Sequence, residues 1–311
     1  MGNGKDKIIF FGTPEICIPF LESLKENFDL KLIVTQPDSF GGRKKKVIEP
    51  AAKIFAIKNN IPFIQPEKLN SKVAEEIRRT DPAISVVVSY GKFIPGKIFR
   101  IPTHNTINVH FSLLPEYRGA APVQRTIEDG LNRTGITIFE INKGMDTGDI
   151  WAKKEYDIDP ADTSKTLLDR LSREGSRFLI KILNKIISGN LEKTHQNNSD
   201  ATYAEPVTKN EGRIIWDLPV KKIYNRFRAF FPWPGSFFFI GEKKFTVIEA
   251  SVSPREYDGA PGDICSVKKE KMEVCCGGKS VLEIHSFIPQ GKKEMTPYIF
   301  SLGNTIPEKL N

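Results

Sequence analysis

Ala83-Ile84-Ser85-Val86-Val87-Val88-Ser89 decides the fold. Three successive valines without polar alternation suit a strand covered on both faces, and such strands belong to parallel sheets flanked by helices. The pattern continues outward from it. Residues 7–11 read as a buried strand, and Gly12 turns the chain. Thr13 suits the cap, and Pro14 the first position, of a helix carrying Ile16, Phe20, Leu21 and Leu24. Residues 30–35 and 61–64 read as strands, with helices over 47–58 and 72–79. Beyond 83–89, the spacing predicts strands over 106–109, 135–141 and 150–156, with a helix over 120–129 that Gly130 ends. This alternation predicts an α/β fold with a doubly wound, mostly parallel sheet.

The pattern changes in the second half. Asp162-Thr163-Ser164 caps a long helix whose apolar stripe, from Leu167 to Ile186, is core-facing, and Gly189 ends it. Residues 190–204 are polar and read as a linker. After a short helix over 219–229, five strand-like runs cover 235–240, 244–251, 262–268, 272–276 and 280–288. They suggest an OB-like β-barrel, an architecture that commonly binds nucleic acid. The expected division is a catalytic domain over 1–189, a linker over 190–204 and an OB-like domain over 205–311.

Bulk properties narrow the function. The 311 residues carry a formal charge of +8 and a pI near 9.1, which suggests a polyanionic partner. A loop from Gln36 to Lys46 contains two glycines and four consecutive cations, Arg43, Lys44, Lys45 and Lys46. It reads either as a solvated surface or as an arm that closes on phosphates. Residues 205–311 hold 16 Lys and Arg against 13 Asp and Glu, so clusters such as Lys221-Lys222 with Arg226 matter more than the sum. No apolar run reaches spanning length and no secretory core opens the chain, so a cytoplasmic protein away from the membrane is expected. The four cysteines form no Cys-x-x-Cys pair, and neither a disulfide framework nor a metal site is expected. Neither Gly-x-Gly-x-x-Gly nor a Walker A sequence is present, which argues against a dinucleotide or ATP.

Open parallel sheets bind ligands at the carboxyl ends of their strands. Three stretches qualify: Gly12-Thr13-Pro14, the run from Tyr90 to Pro95, and the stretch that starts at Asn108. Asn108 and His110 close one strand, and Asp146 sits in the Gly-bounded loop Gly144-Met145-Asp146-Thr147-Gly148. Taken singly, Asn108 could bond a turn, His110 could be a core histidine and Asp146 an Asx-turn residue. Together, a carboxamide, an imidazole and a carboxylate on strand-end loops suit transfer of an acyl group to a nitrogen.

Asn108-Val109-His110 with Ser112-Leu113-Leu114-Pro115, Arg118-Gly119-Ala120-Ala121-Pro122 and Met145-Asp146-Thr147-Gly148 resembles the folate-dependent formyltransferases. Phe11-Gly12-Thr13-Pro14-Glu15, Thr35-Gln36-Pro37-Asp38, Arg213-Ile214-Ile215-Trp216 and Phe231-Pro232-Trp233-Pro234 extend the resemblance over essentially the whole chain. The branch it is most similar to formylates the methionine carried by initiator tRNA. The resemblance implies 10-formyltetrahydrofolate as cosubstrate, initiator methionyl-tRNA as partner, and a monomeric enzyme. It implies Asn108, His110 and Asp146 as the catalytic set, and Tyr90, Gly91, Phe93, Ile94 and Pro95, with Ser112, Leu113, Leu114 and Pro115, around the pterin. Arg43, with Lys44, Lys45 and Lys46, would meet the tRNA acceptor end, and Lys221, Lys222 and Arg226 the phosphates. Phe111 departs from the family, which usually has a small residue there; a ring beside the catalytic histidine is expected to reshape the methionine pocket. Three other readings remain: a formyltransferase for a small amine such as a nucleotide or amino sugar, an RNA-binding protein with a vestigial catalytic half, and a hydrolase releasing formate.

Overall fold

The unbroken apolar runs become the inner strands of a seven-stranded sheet. In the computed structural model, which describes residues 4–41 and 46–311, β1 (Lys7–Gly12) leads through a 3-10 turn, Glu15–Cys17, into α1 (Ile18–Asn27). There follow β2 (Asp29–Val34), the short strands β3 (Ser39–Gly41) and β4 (Lys46–Ile48), α2 (Ala51–Lys58), β5 (Phe63–Ile64), α3 (Ser71–Thr80) and β6 (Ile84–Val88). Next are α4 (Gly96–Phe99), β7 (Thr106–His110), β8 (Arg118–Gly119), α5 (Pro122–Glu128), β9 (Arg133–Glu140), β10 (Ile150–Asp157), α6 (Ser164–Ile187) and β11 (Tyr203–Ala204). The sheet order is β10-β9-β7-β6-β1-β2-β5. Strands β7, β6, β1, β2 and β5 run parallel, and β9 and β10 add antiparallel to one edge. Every residue of β6 is buried, as its valine run requires. Chain order reverses between β1 and β6, so the switch point, where open parallel sheets generally bind ligands, is at the carboxyl ends of β1 and β6, beside β7.

Two local expectations change. Thr13 does not cap a helix, because the 3-10 turn intervenes; its hydroxyl donates instead to the Tyr90 carbonyl, 3.3 Å away, across the switch point. The helix expected from residue 47 starts at Ala51. Pro50 disfavours helical backbone at Glu49, and Val47 and Ile48 pair in β4 against Ser39 and Phe40.

Contacts divide the chain into two units that are not contiguous in sequence. The first comprises Met1–Pro122, Arg133–Asp157 and Leu168–Ala204; the second comprises Val123–Asn132, Ile158–Leu167 and Glu205–Asn311. The second unit contains α7 (Val220–Ala229), β12 (Phe237–Ile240), β13 (Lys243–Val252), β14 (Ile264–Val267), β15 (Met272–Cys275), β16 (Val281–Pro289) and α8 (Pro297–Ser301). Its antiparallel sheet has the order β12-β13-β16-β15-β14. Register shifts around Glu249 curl β13, and among the described residues β12 and β14 do not pair, so the OB-like sheet is a half-barrel. Phe238, Phe245 and Phe287 fill its concave core, with Phe238 stacked on Phe245. Among the described residues no helix is long and apolar enough to cross a membrane.

Candidate active site

Pleating puts Asn108 and His110 on one face of β7 and the buried Ile107 and Val109 on the other. Asn108 is paired with Val87 of β6 on one side and Phe139 of β9 on the other, so its backbone is fixed. Its carboxamide makes no hydrogen bond among the described residues. His110 is 5% exposed. Its Nε2 lies 2.8 Å from the Tyr117 carbonyl, and a carbonyl only accepts, so Nε2 carries a proton. Nδ1 faces Asp146 Oδ2 at 3.6 Å, beyond a hydrogen bond but within ion-pair reach of a doubly protonated ring.

The loop that carries Asp146 is built from its own residues. Asn142 Oδ1 accepts from the Gly144 N–H (2.9 Å) and the Thr147 hydroxyl (2.8 Å). A Cβ at Gly148 would lie 1.6 Å from the Glu140 carbonyl, so only glycine fits there. Asp146 adopts a left-handed backbone (φ +53°), which short polar side chains tolerate better than most. Its Oδ2 accepts from the Gly119 N–H at 2.8 Å, so the hydrogen bonds of this carboxylate run through one oxygen.

The turn after β7 is fixed from below. The Thr137 hydroxyl donates to the Ser112 carbonyl (2.7 Å) and accepts from the Leu114 N–H (3.1 Å). Lys153 Nζ donates to the Leu114 carbonyl at 2.6 Å, and Ser112 Oγ to the Glu116 carbonyl at 2.7 Å. Leu114 is buried with Phe139 and Ile150, Leu113 lies against Gly135, and Pro115 is half-buried. The Ser112 carbonyl and both backbone groups of Leu114 are therefore engaged inside the protein. After β6, Tyr90 is buried edge-on against Phe11, and burial pushes its hydroxyl up to about 12. The Tyr90 carbonyl accepts from Gln36 Nε2 at 2.7 Å. Gly91 has a left-handed backbone, Ile94 is in the core, Pro95 precedes α4, and Phe93 stands 68% exposed.

Phe111 does not reshape the polar face. Being one residue from His110, it alternates to the opposite side, where its buried ring meets Phe20 of α1 edge-on at 6.3 Å. Gly175 of α6 makes room for Phe20: a Cβ there would sit 3.0 Å from that ring.

Of the cations singled out for tRNA, Arg43, Lys44 and Lys45 lie outside the described residues. Lys46 is exposed on β4. In the second unit, Lys221 and Lys222 are exposed on α7. Arg226 is engaged: it pairs with the Glu128 carboxylate, donates to the Glu211 carbonyl at 2.7 Å and covers the Phe230 ring. Two residues to which the sequence reading gives no role in the site, one inside a quoted motif and one in the polar run, connect its parts. Arg118 and Gln196 are both buried, and they connect the 117–119 segment to the Asp146 loop. Nothing in the polar run around Gln196 marks it, since no periodicity separates it from Asn197 and Asn198.

Known proteins resemble this chain over most of its length. The family described as formyl transferase matches residues 6–183, and its C-terminal domain matches residues 206–304. A methionyl-tRNA formyltransferase of Sulfurihydrogenibium sp. is 41% identical over 90% of this chain and 92% of its own length. One from Caldicellulosiruptor saccharolyticus is 44% identical over 79% of this chain and 80% of its own. Among solved structures, an N-formyltransferase from Helicobacter canadensis, in complex with folinic acid and dTDP-3-aminofucose, covers 90% of this chain and 99% of its own. It has a TM-score of 0.69 at 21% identity, a likeness of fold. With both family domains matched in order and relatives of this identity along nearly the whole length, the chain belongs to the formyltransferase family, alongside the methionyl-tRNA formyltransferases.

Proposed function

We infer that the protein transfers the formyl group of 10-formyltetrahydrofolate to the α-amino group of methionine on initiator tRNA, giving N-formylmethionyl-tRNA for translation initiation. One observation carries the reading: Asn108, whose carboxamide has no partner among the described residues, stands two residues from a buried imidazole that faces a carboxylate. The folate supplies a formyl carbon bonded to nitrogen. Attack by the neutral amine forms the new C–N bond, moves the carbonyl pair onto oxygen, and is completed when the old C–N bond breaks with its pair on the folate nitrogen, which takes a proton. Asn108 Nδ2 donates to the oxygen as it gains charge, an interaction absent from the resting protein and therefore selective for the transition state. Asp146 takes the amine proton through a water, using the carboxylate oxygen that neither Gly119 nor His110 engages. His110, held through Nε2 on the Tyr117 carbonyl, stands 3.6 Å from Asp146 Oδ2 at Nδ1 and fixes the polar wall beside that carboxylate.

The pterin lies along Tyr90, Gly91, Phe93, Ile94 and Pro95, beside the wall formed by Ser112, Leu113, Leu114 and Pro115. Phe93 supplies an apolar face, since its ring is exposed at the switch point of the sheet. The exposed Lys46, Lys221 and Lys222, with Arg43, Lys44 and Lys45, meet tRNA phosphates. The identity to methionyl-tRNA formyltransferases favours this substrate over a small amine, for which the support is a shared fold at 21% identity.

The test supplies labelled 10-formyltetrahydrofolate with aminoacylated initiator tRNA, elongator tRNA or a small amine, and follows the label. Label on the initiator methionine is the expected result. Transfer only to the small amine, or release as formate, would overturn the reading.

A further inference from the structure

Gln196 is a two-sided bridge within the first unit. Its Nε2 donates to the carbonyls of Asp146 (2.9 Å) and Gly148 (2.7 Å). Its Oε1 accepts from Arg118 Nε (3.2 Å) and from a terminal guanidinium nitrogen (2.7 Å). Carbonyls only accept and a guanidinium only donates, so the amide has one permitted orientation. Arg118 is 2% exposed and Gln196 7%, so water cannot replace either contact. The same guanidinium nitrogen donates to Asn198 Oδ1 at 2.9 Å. Among the described residues no carboxylate lies within ion-pair distance of Arg118, and its partners are neutral carboxamide oxygens. A buried cation without an opposite charge is a poor way to gain stability, whereas a planar fork is a good way to fix geometry.

The neighbours of Arg118 complete the arrangement. The Tyr117 carbonyl holds His110 Nε2, and the Gly119 N–H holds Asp146 Oδ2. One buried side chain therefore anchors the backbone that grips both groups, and reaches the Asp146 backbone through Gln196. The far wall is β11, which pairs with β8; the Arg118 N–H donates to the Thr202 carbonyl at 2.9 Å.

We propose that Arg118 and Gln196 are positioning residues for formyl transfer, holding the 142–149 loop at the distance where Asp146 faces His110. The proposal rests on the reading that Asp146 and His110 serve the transfer. Gln196→Glu keeps an acceptor for Arg118 but loses both donors to the loop carbonyls. It should lower kcat about a hundredfold while KM for both substrates stays within about twofold, the pattern of a displaced catalytic group. Its pH–rate profile should be displaced, and amides of the 142–149 loop should exchange with solvent faster. Its thermal midpoint should be retained, because the introduced carboxylate accepts from the Arg118 guanidinium and pairs with its charge. Arg118→Lys keeps the charge but not the fork, and should show the same pattern with a kcat loss of about tenfold.

Wild-type kcat in Gln196→Glu would overturn the proposal. So would a kcat loss that follows thermal stability across both variants with the pH profile unchanged. Hydrogen exchange separates the two readings, because it needs no turnover. Unchanged exchange in the loop sinks the bridge even if transfer is normal. Faster exchange in the variants, together with a wild-type protein that formylates no tRNA, sinks the functional reading and leaves the bridge.

Discussion

Asn108 and His110 stand two residues apart on one strand and are treated differently by the protein. The imidazole has a partner facing each nitrogen, and among the described residues the carboxamide has none. The Asn108 carboxamide makes no hydrogen bond among the described residues, so Asn108→Ala should leave the thermal midpoint in place while lowering kcat by roughly 10²–10³, the usual cost of an oxyanion donor. Steady-state kinetics beside a melting curve checks both halves; a wild-type rate would remove Asn108 from the mechanism. Phe111 predicts the reverse separation. Its ring is buried against Phe20, so Phe111→Ala should destabilise the protein by about 3–5 kcal/mol in a urea titration and leave KM for the tRNA unchanged. A changed KM with unaltered stability would put the ring in the substrate site after all.

At the scale of elements, the 142–149 loop is the critical piece, because among the described residues its only backbone bond to a strand is at its end, from the Glu140 N–H to the Asp149 carbonyl, and no ladder holds Asp146 itself. Gly148 lies flat against the Glu140 carbonyl, and backbone cannot give way as a flexible side chain can. Gly148→Ala should therefore push the loop outward and cost about a hundredfold or more in kcat. A crystal structure of the variant with Asp146 still 3.6 Å from His110 would refute that account. Much of this level is legible in sequence. The valine run of β6 marks a two-sided sheet, period two puts Asn108 and His110 on one face, and paired glycines mark the loop of Asp146. The Arg118–Gln196 bridge is not legible in the same way. It exists only because β8 and β11 pair, and a two-residue pairing leaves no periodic trace. The hairpin of β3 and β4 is hidden for a related reason: Val47 and Ile48 continue smoothly into the apolar pattern of α2, and only Pro50 marks the break.

For the whole molecule, charge sets two further expectations. With +8 overall and exposed lysines on β4 and α7, the affinity for tRNA should fall steeply as salt rises. A binding titration over a range of salt concentrations that gives a flat response would argue against phosphate contacts. Two carboxylates of the second unit contribute to acid stability. A hydrogen bond from Ser266 lowers the Glu273 carboxyl to about 2 against the opposing effect of burial, with Lys271 and Lys268 adding to it. Burial works to raise Glu211, but Arg125 and Thr208 outweigh it and bring that carboxyl to about 2 as well. A folded-state value below the usual 4.5 means stability that is present above that pH and is lost as pH falls from about 4.5 toward about 2. The urea midpoint should drop across that window, and Glu273→Gln should start lower at neutral pH and respond less to acid. An identical pH dependence in the variant would show that Glu273 is not responsible.

The grouping of 190–204 with the first unit has a practical side for anyone recombining members of this family. A junction placed at Gly189, where the long helix ends, would give the recipient sheet a foreign Gln196 and a foreign β11. Such a hybrid would carry its own asparagine, histidine and aspartate but borrow the frame that aligns them. Joining after Ala204 transplants the half-barrel alone and leaves the parent's alignment in its own hands.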